Sequence, residues 1–407
     1  MPTSPADPLT FDVAIAGGGV VGLTLAAALK DSGLSIALIE ALPPESALNK
    51  PQAYALSLLS AQIWQGIGVW PALVSGLGKF KNIQLSDGHS PHIVPFSAQE
   101  LGGNYLGYVG EHKILLGALQ DFLEGAANIR WFRPAQVTAV TYDAHWAHIA
   151  YQQEQKTYNL RAKVLVGADG ARSQVRSLAG ITSQGWSYAQ ACVAATIHHQ
   201  AVTNETAFER FWATGPMGVL PLPGQRCQVV WTLPQDQAQL LATCPYQDFL
   251  AQLQRHLGES FGAIELVTPR RLFPLRLMQA HHYVQPRLAL IGDAAHGCHP
   301  VGGQGLNLGI RDAAALADVL LGAQQQDQDL GSLEVLHRYE RWRYPENWVI
   351  LAFTDFLNRF FSNQFLPWVF LRRLGLIGLR QLLPLKILAL QLMTGLLGKR
   401  PSLAQRF

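Results

Sequence analysis

The sequence predicts an α/β fold, in which a doubly wound, Rossmann-like domain carries an inserted antiparallel-sheet domain and a C-terminal helical segment. An apolar run at 11–16, a glycine-rich turn, an alanine-rich stretch and a second apolar run at 35–39 follow one another at the start of the chain. This order is typical of a βαβ unit, which opens a parallel sheet. Further runs at 163–166 and 288–291 have the composition of buried parallel strands. Between them, 192–233 is rich in alternating and β-branched residues with turn signals, which predicts an antiparallel sheet.

The strand-like runs of the first domain lie far apart in the sequence, so we expect that domain to be discontinuous. At 407 residues the chain is long for one hydrophobic core, which also favours two packed domains. The boundaries that we assign are 1–80, 105–185 and 285–330 for the parallel-sheet domain, 81–104 and 186–284 for the inserted sheet domain, and 331–407 for the helical segment. Within that last segment we expect the helices to be broken at Pro345, Pro367 and Pro384.

Charge and cysteine usage narrow the class of protein. Charged residues make up 14% of the chain and the net charge is +3, which is too small to favour nucleic-acid binding. The four cysteines form no Cys-x-x-Cys pair, and the N-terminus has no basic start followed by an apolar core. We therefore expect a reducing, cytoplasmic location.

The first glycine-rich turn has the spacing of a dinucleotide-binding fingerprint, Gly-x-Gly-x-x-Gly. The first glycine permits the turn, the second permits close approach of a pyrophosphate, and the third lets the helix pack on the strand. An acid at the end of the second strand can accept hydrogen bonds from ribose hydroxyls. The cofactor contacts predicted for this stretch are Gly17, Gly19, Val21, Gly22 and Glu40.

Two later stretches end buried strands with an Asp-Gly pair, at 169–170, and a Gly-Asp pair, at 292–293. A loop rich in glycine follows the second pair, and the helix expected at 306–321 would direct its positive end at a bound flavin. In this order the three stretches predict a site for one FAD. The cofactor contacts that they add are Asp169, Asp293, Gly305, Leu306 and Asn307, and the backbone expected nearest the reactive edge is that of Pro300, Gly302 and Gly303.

The sequence places limits on other ligands. No second glycine fingerprint follows a strand, so a nicotinamide cofactor must bind transiently on the surface of the FAD domain. His296, Cys298 and His299 share one loop but lack further ligands nearby, so we predict no metal site.

The three stretches resemble those of the single-component flavin-dependent aromatic hydroxylases. More narrowly, the chain is similar to the polyprenyl-phenol hydroxylases of ubiquinone biosynthesis. Further stretches support the narrower resemblance, at 53–57, 67–70, 108–113, 215–222 and 273–275. The resemblance covers nearly the whole chain up to about Arg343, and it adds Lys113 and Val137 to the expected cofactor contacts.

Departures from the pattern of that family fall among its basic residues. Gln52 stands where the family has an arginine, and His112 and Lys113 replace an asparagine and an arginine. Since glutamine cannot supply the charge or the fork of an arginine, these departures put cofactor affinity and the choice of reductant in question.

The resemblance implies a reaction. NAD(P)H reduces FAD, O2 adds at flavin C4a to give a hydroperoxide, and its distal oxygen passes to the ring of a polyprenylated phenol. The product belongs to the biosynthesis of a lipid quinone of the ubiquinone or plastoquinone type. The cofactor carries the chemistry, while the protein supplies orientation and excludes water. The expected substrate is a polyprenyl-phenol lipid, and other quinone-biosynthesis enzymes are candidate partners.

Three residues of the inserted sheet are candidates for the substrate wall, with plain core packing as the alternative interpretation: Trp212, Pro221 and Trp231.

The C-terminal stretch 356–407 holds eight Lys or Arg and no acid. Its apolar residues suit a membrane interface, and Arg372, Arg373, Arg380 and Lys386 suit anionic lipid. One interpretation is peripheral docking on a membrane surface, which needs both signals. The other is a helical lid whose basic residues are paired internally with the acidic body.

Two other functions remain compatible with an FAD site. The first is an FAD-dependent isoprenoid or carotenoid reductase or epoxidase, which would share all three stretches. The second is a non-catalytic, flavin-bound scaffold of a quinone-synthesis complex. Oxygen consumption coupled to gain of a ring hydroxyl separates the hydroxylase from the first, and NAD(P)H oxidation stimulated by a phenol excludes the second.

Overall fold

The computed structural model describes residues 8–88 and 93–405. The strands are β1 (Leu9–Ala16), β2 (Ile36–Ile39), β3 (Ala53–Ser57), β4 (Gly78–Phe80), β5 (Asn82–Asp87), β6 (Ile93–Ser97), β7 (Gly107–Glu111), β8 (Ile129–Phe132), β9 (Gln136–Tyr142), β10 (Ala147–Gln153), β11 (Lys156–Gly167), β12 (Ser183–His199), β13 (Thr206–Trp212), β14 (Gly215–Leu222), β15 (Arg226–Pro234), β16 (Ile264–Leu266), β17 (Arg271–Ala280), β18 (Val284–Gln285), β19 (Leu288–Leu290) and β20 (His296–Gly297). The helices are α1 (Val20–Ala28), α2 (Pro44–Leu48), α3 (Leu58–Ile67), α4 (Trp70–Leu73), α5 (His112–Leu123), α6 (Gln174–Leu178), α7 (Gln235–Thr243), α8 (Tyr246–Leu257), α9 (Gln304–Gln325), α10 (Leu333–Phe361), α11 (Leu366–Gln381) and α12 (Leu383–Thr394).

The first sheet has the strand order β18-β19-β11-β1-β2-β8, and a hairpin of β9 and β10 extends it along β11. Strands β19, β11, β1, β2 and β8 are parallel. Their side chains are apolar on both faces because helices cover both sides of the sheet, and Val13, Ile15, Leu38 and Val166 are fully buried in its core. The predicted α/β class, with a doubly wound domain, a second sheet and C-terminal helices, is confirmed.

The second sheet has the order β20-β17-β12-β15-β14-β13-β5-β6. Its pairs are antiparallel except for β5 and β13, which are parallel. The exception arises because β5 comes from an earlier part of the chain and joins the edge of β13 without a hairpin. A small antiparallel sheet of β3, β7 and β4 stands beside it.

The two faces of the second sheet pack on different elements. One face forms a core with α7 and α8, and the other forms a core with β6, β7 and the C-terminal helices. Because successive side chains of a strand point to opposite faces, each residue of β13, β14 and β15 belongs to one core or the other. This assignment decides which residues can face a substrate.

The helical segment differs from its prediction at Pro345, which lies inside the single helix α10. Arg343 and Asn347, on either side of the proline, both bind the buried carboxylate of Asp312, and this shared partner holds the helix together. Pro367 and Pro384 lie in the first turns of α11 and α12, where proline is well tolerated.

The described residues contain no single helix that is long and apolar enough to cross a membrane. Together α11 and α12 meet that test of length and composition, but they are bent by 98° relative to each other.

Candidate active site

The first glycine stretch forms a cradle at the end of β1. Gly17 has a φ of +114°, and a Cβ there would lie 2.3 Å from the carbonyl oxygen of Ala168. A Cβ on Gly22 would lie 2.0 Å from the carbonyl oxygen of Gly17. A Cβ on Gly19 would meet nothing within 4 Å, and no side chain caps α1 there. Open space therefore faces the free N–H groups of the helix, which is the arrangement that binds a phosphate group.

Glu40 directly follows β2, beside this cradle. Its Oε2 accepts a hydrogen bond from the Gly18 N–H at 2.5 Å, and its Oε1 accepts one from the Leu42 N–H at 2.7 Å. These bonds fix the carboxylate at the rim of the cradle and leave lone pairs that a ribose hydroxyl can use.

The Asp169 carboxylate closes the turn into α6. It accepts hydrogen bonds from the Ser173 hydroxyl at 2.5 Å and from the Gln174 and Val175 N–H groups at 2.7 and 2.9 Å. In the described residues its side chain therefore has the role of a helix cap. Arg176, on the same helix, donates to the Ala294 carbonyl at 2.7 Å, which ties the second stretch to the third.

Asp293 lies just beyond β19 and its side chain is exposed. Its pKa is nevertheless raised, first by desolvation and also by Asp312, while His296 and Lys50 lower it. Neighbouring groups therefore displace part of the water around the carboxylate although the side chain remains accessible. We call the surface between Asp293, the glycine cradle and the loop before α9 the cleft. Asp293 is therefore open to a ligand rather than paired within the protein.

A buried polar network supports this cleft from below. The Asp312 carboxylate accepts hydrogen bonds from His296 Nε2 at 2.6 Å, from the Gly292 N–H at 3.1 Å and from Arg343 Nε at 2.9 Å. Burial raises the pKa of Asp312, but His296 and Arg343 outweigh it and hold the pKa well below its usual range. The network joins α9 and α10 to the backbone that carries Asp293.

The loop before α9 is held by Asn307. Its Oδ1 accepts from the Ser57 N–H at 2.8 Å and the Ser60 hydroxyl at 2.7 Å, and its Nδ2 donates to the carbonyls of Ala55 and Gly303 at 2.9 and 2.8 Å. The amide is thus fully used by protein groups. The side chain positions the loop, and a cofactor can reach only the backbone of Asn307.

The other residues of this loop present backbone to the cleft. Gly302 and Gly303 have φ values of +66° and +61°, and a Cβ on Gly303 would lie 2.8 Å from the Cβ of Ala55. No side chain caps α9, so the N–H groups at its start, around Gly305 and Leu306, are available to a negatively charged group.

Three further residues that were predicted to contact the cofactor have the following surroundings. Val21 packs against the third stretch, since a Cβ on Gly292 would lie 3.1 Å from its Cγ1. Val137 is 5% exposed and belongs to the first core. Lys113 is exposed on the first turn of α5.

The departures at the basic positions have a structural explanation. His112 is buried, contacts the Ala47 carbonyl through Nε2 at 3.0 Å, and has its pKa lowered by burial, so it is a neutral packing residue. Lys50, two residues before Gln52, lies close enough to Asp293 to lower its pKa. The chain thus keeps a cation near the place where the resembling family has an arginine.

Comparison with known proteins identifies the family of the chain. Residues 10–354 match the FAD binding domain family. Ubiquinone hydroxylase UbiL of Rhodospirillum rubrum is 38% identical over 403 residues, which cover 98% of this chain and 93% of that protein. The 3-demethoxyubiquinol 3-hydroxylase of Escherichia coli K12 is 34% identical over 393 residues, 95% and 98% of the two chains. The chain belongs to the FAD-dependent hydroxylases.

A Synechocystis protein, slr1300, is 57% identical over 394 residues, which cover 97% of this chain and 95% of that protein. Among solved structures, p-nitrophenol 4-monooxygenase PnpA from Pseudomonas putida DLL-E4 has a TM-score of 0.80 at 20% identity, covering 96% of this chain and 100% of that one. At that identity the likeness shows the fold alone.

The residues present fit FAD. A Cβ on Gly19 would meet open space that can take a pyrophosphate, the Glu40 carboxylate lies beside it where a ribose could bind, and Asp293 has no hydrogen-bond partner among the described residues. This hydroxylase is therefore an aromatic monooxygenase with FAD as cofactor and NAD(P)H and O2 as co-substrates. When bound, FAD supplies electron transfer from NAD(P)H and activation of O2, and the protein supplies position and a dry site.

The predicted substrate wall requires a correction. Trp231 belongs to the core with α7 and α8, and Trp212 packs against that core. Both indole rings contact His256 of α8, with ring centroids 4.4 and 4.7 Å away. Pro221 is paired with Cys227 of the same core. All three positions lie on the face away from Gly302, because a shift of one residue along a strand changes the face.

The opposite face carries a residue that the sequence analysis missed. Glu209 of β13 accepts a hydrogen bond from the Gly302 N–H at 3.3 Å, so this face of the sheet meets the flavin loop. Ala207 and Phe211, at alternate positions, belong to the core on this side. Alternation along β13 separates Glu209 from Phe208 and Trp212, but it does not tell which face meets the flavin loop, so the sequence alone held no signal that singled out Glu209.

An apolar cavity adjoins the same loop. It has a volume of about 290 Å³ and lies between the second sheet and helices α10, α11 and α12. Its wall includes Phe211 and Gly302, and apart from Gln304, Thr354 and Arg372 its lining side chains are apolar. The Arg372 guanidinium is bound to Asp87, so the cavity carries little free polarity.

Proposed function

We propose that this hydroxylase adds oxygen to the aromatic ring of a polyprenylated phenol in lipid-quinone biosynthesis. The observation that carries the proposal is the apolar cavity that begins at Gly302 and continues beneath the C-terminal helices. A phenolic ring beside the flavin loop would leave its prenyl chain in this cavity. The names of two relatives, a ubiquinone hydroxylase and a 3-demethoxyubiquinol 3-hydroxylase, support a substrate of this class.

The character of the cavity matches a prenyl chain. Aromatic and aliphatic side chains from α10, such as Phe353, Leu357 and Phe360, form one wall, and Leu376 and Leu379 of α11 form another. Burial of each CH2 group is worth roughly 0.8 kcal/mol, so one isoprene unit contributes about 3 kcal/mol. A free, unprenylated phenol would gain none of this energy.

Peripheral attachment to a membrane surface is the second part of the proposal, because several isoprene units cannot leave a bilayer for water. The two sides of α11 and α12 differ. Arg372 and Lys386 face inward and pair with Asp87 and Glu100. Internal pairing of basic residues therefore concerns the inward face of these helices, and the membrane proposal concerns their outward face.

The outward side of these helices is unusually apolar. Exposed large hydrophobic residues cluster there, namely Phe365, Leu366, Trp368, Phe370, Leu371, Leu374, Leu382, Leu383, Leu385 and Leu388. Arg373 and Arg380 are exposed among them. An exposed apolar patch with cations in it matches the two signals that peripheral binding to anionic lipid requires.

The test of the function is turnover by the purified, FAD-loaded enzyme. NADPH or NADH, O2 and 2-farnesylphenol in mixed micelles should yield a ring-hydroxylated product whose added oxygen comes from isotopically labelled O2. Phenol without the prenyl chain is the matched control and should be hydroxylated much less efficiently. Reduction or epoxidation of the farnesyl chain with the ring unchanged would contradict the proposal and favour the isoprenoid reductase or epoxidase.

A further inference from the structure

We propose that Glu209 accepts the phenolic proton of the substrate while the ring is hydroxylated. This inference rests on the proposed function and assigns one step of it to a residue of this chain. The supporting observations are the place of Glu209 between residues that line the apolar cavity, namely its partner Leu85 and the loop residue Gly302, its hydrogen bond to that loop and the absence of a cationic partner among the described residues.

The position of Glu209 follows from strand register. It lies on the face of β13 that also carries Phe211, and Phe211 and Gly302 both line the cavity. Glu209 bonds to the Gly302 N–H through Oε2, which leaves Oε1 for another donor. Across the strand pair stands Gly218, where a Cβ would lie 3.8 Å from Oε2. The missing side chain leaves space beside the carboxylate.

Uncharged residues flank Glu209 across the sheet. The residues paired with it or next across the sheet are Leu85 of β5, Gly218 of β14 and Val230 of β15. The titratable neighbour is Cys192 of β12, whose own pKa is raised to about 12 by burial, and Glu209 contributes to that increase. No ion pair of Glu209 occurs in the described residues.

Desolvation raises the pKa of Glu209 to about 7, although the Gly302 N–H lowers it. A carboxylate with a pKa near neutrality is a better proton acceptor than one with an ordinary pKa, and it can also return the proton. Glu209 is half-buried rather than enclosed, so a substrate can reach it.

The proton and electron balance of the step is simple. With FAD bound and O2 reduced by NAD(P)H, a ring π-electron pair would form the new C–O bond as an O–O bond breaks, and the second oxygen would keep the O–O electron pair, take up protons from solvent and leave as water. The phenolic O–H bond breaks in the same step as its proton moves to Glu209. The phenolic carbon becomes a ketone. When the hydroxylated carbon loses its hydrogen as a proton to water, Glu209 returns its own proton to the oxygen and the ring becomes aromatic again.

The first experiment measures binding without turnover. Oxidised, FAD-loaded enzyme is titrated with 2-geranylphenol under anaerobic conditions, and the flavin absorbance change reports occupancy. Because the phenol donates to an ionised Glu209, affinity should fall by about tenfold per pH unit once the pH is below about 7. Binding near pH 6 should release about one proton to the solvent, and binding near pH 8 should release none. Proton release is measured with the unmodified chain, so it needs no variant.

The second experiment compares Glu209→Gln with Glu205→Gln. The glutamine at 209 still accepts the Gly302 N–H, while Glu205 is an exposed residue just before the same strand. E209Q should bind the phenol with no dependence on pH in this range, and its hydroxylation should be about 10²- to 10⁴-fold slower with more peroxide released. E205Q should match the unmodified enzyme.

Two results would overturn the assignment. One is pH-independent binding without proton release by an unmodified enzyme that hydroxylates the phenol, which would refute the role of Glu209 and leave the proposed function intact. The other is an E209Q enzyme with normal hydroxylation. If the unmodified enzyme neither binds nor hydroxylates any prenylated phenol, the proposed function fails and this inference fails with it.

Discussion

Arg372 of α11 and Asp87 of β5 form a two-point ion pair that joins the C-terminal helices to the second sheet. Arg372 Nε donates to Asp87 Oδ2 at 3.0 Å and Nη2 donates to Oδ1 at 3.3 Å. The two side chains are 5% and 2% exposed. The pair fixes α11 over the apolar cavity, so the part of the chain with the greatest excess of positive charge is anchored by an acid of the sheet.

Replacement of Arg372 by Leu should therefore destabilise the protein. It leaves the Asp87 carboxylate buried with only the more distant Arg373 to compensate it, at 3.7 Å, and loss of one partner of a buried pair costs about 3–5 kcal/mol. Denaturant unfolding and limited proteolysis between α10 and α11 measure the effect. Lys81→Gln, which breaks the exposed pair with Glu205, is the control and should cost less than about 1 kcal/mol. Equal stability of the two variants would contradict the anchoring role.

Replacement of Asp293 by Ala should abolish retention of FAD. Within 8–88 and 93–405 the carboxylate makes no hydrogen bond or ion pair, so its removal should take away a cofactor contact without breaking a bond between described residues. Flavin absorbance per protein after purification gives the result, and Asp327→Ala, beyond the end of α9, is the control. An Asp293→Ala protein that purifies yellow with full flavin occupancy would show that the third stretch has been assigned wrongly.

The network around Asp312 should make stability depend on pH. Its pKa is lowered in the folded protein from an ordinary value of 3.8, so its ionised form stabilises the fold above about pH 4. That contribution is lost as the pH falls below 4 toward the lower, folded-state pKa. Asp312→Asn should reduce stability at neutral pH by up to about 3–5 kcal/mol, because the buried Arg343 then loses one of its two carboxylate partners and keeps only Glu346, which is partly exposed. The variant should also lose less stability on acidification, and a thermal melting series from pH 7 to pH 3 measures both effects.

The membrane proposal predicts a specific loss of lipid binding. Leu366→Asp combined with Phe370→Asp places charges on the outward side of α11, where both residues are well exposed at 78% and 64%, so folding should be preserved. Co-flotation with vesicles containing anionic lipid should fall several-fold. Leu240→Asp on α7, which is 70% exposed, is the matched control and should float normally. Unchanged flotation of the double variant would favour a lid without membrane contact.

Point substitutions are a better test than truncation after α10. The chain returns from α12 to the first domain, where the Leu403 carbonyl lies against Gly66 and a Cβ on that glycine would be only 1.9 Å away. Leu403 is 7% exposed and belongs to the core of the first sheet. Deletion of the tail would therefore expose that core as well as remove the apolar surface.

The first domain could be predicted from the sequence because its signals are local. The spacing of Gly17, Gly19 and Gly22 and the apolar strands on either side depend only on neighbouring residues. The role of Asn307 could not be predicted, because its partners Ser57 and Ala55 lie about 250 residues away in the chain. The sequence indicated a polar residue near the start of a helix, and only the fold shows which groups form hydrogen bonds with its amide.

The substrate face illustrates a second limit. The strands carrying Trp212 and Trp231 could be recognised, but both faces of this sheet are buried, so alternation does not distinguish the face toward α8 from the face toward the flavin loop. The large aromatic residues pointed to the wrong face. Glu209 could be assigned only after its contact with Gly302 was known.

The measurement that tests the central claim most directly is mass spectrometry of lipid extracts from a strain that lacks this gene. Hydroxylation of a polyprenylated phenol predicts accumulation of a prenylated phenol that is one oxygen short, together with a loss of the quinone, and recovery of both when the unmodified gene is restored. An unchanged quinone pool, with altered carotenoids or prenyl chains in the same extracts, would contradict the account.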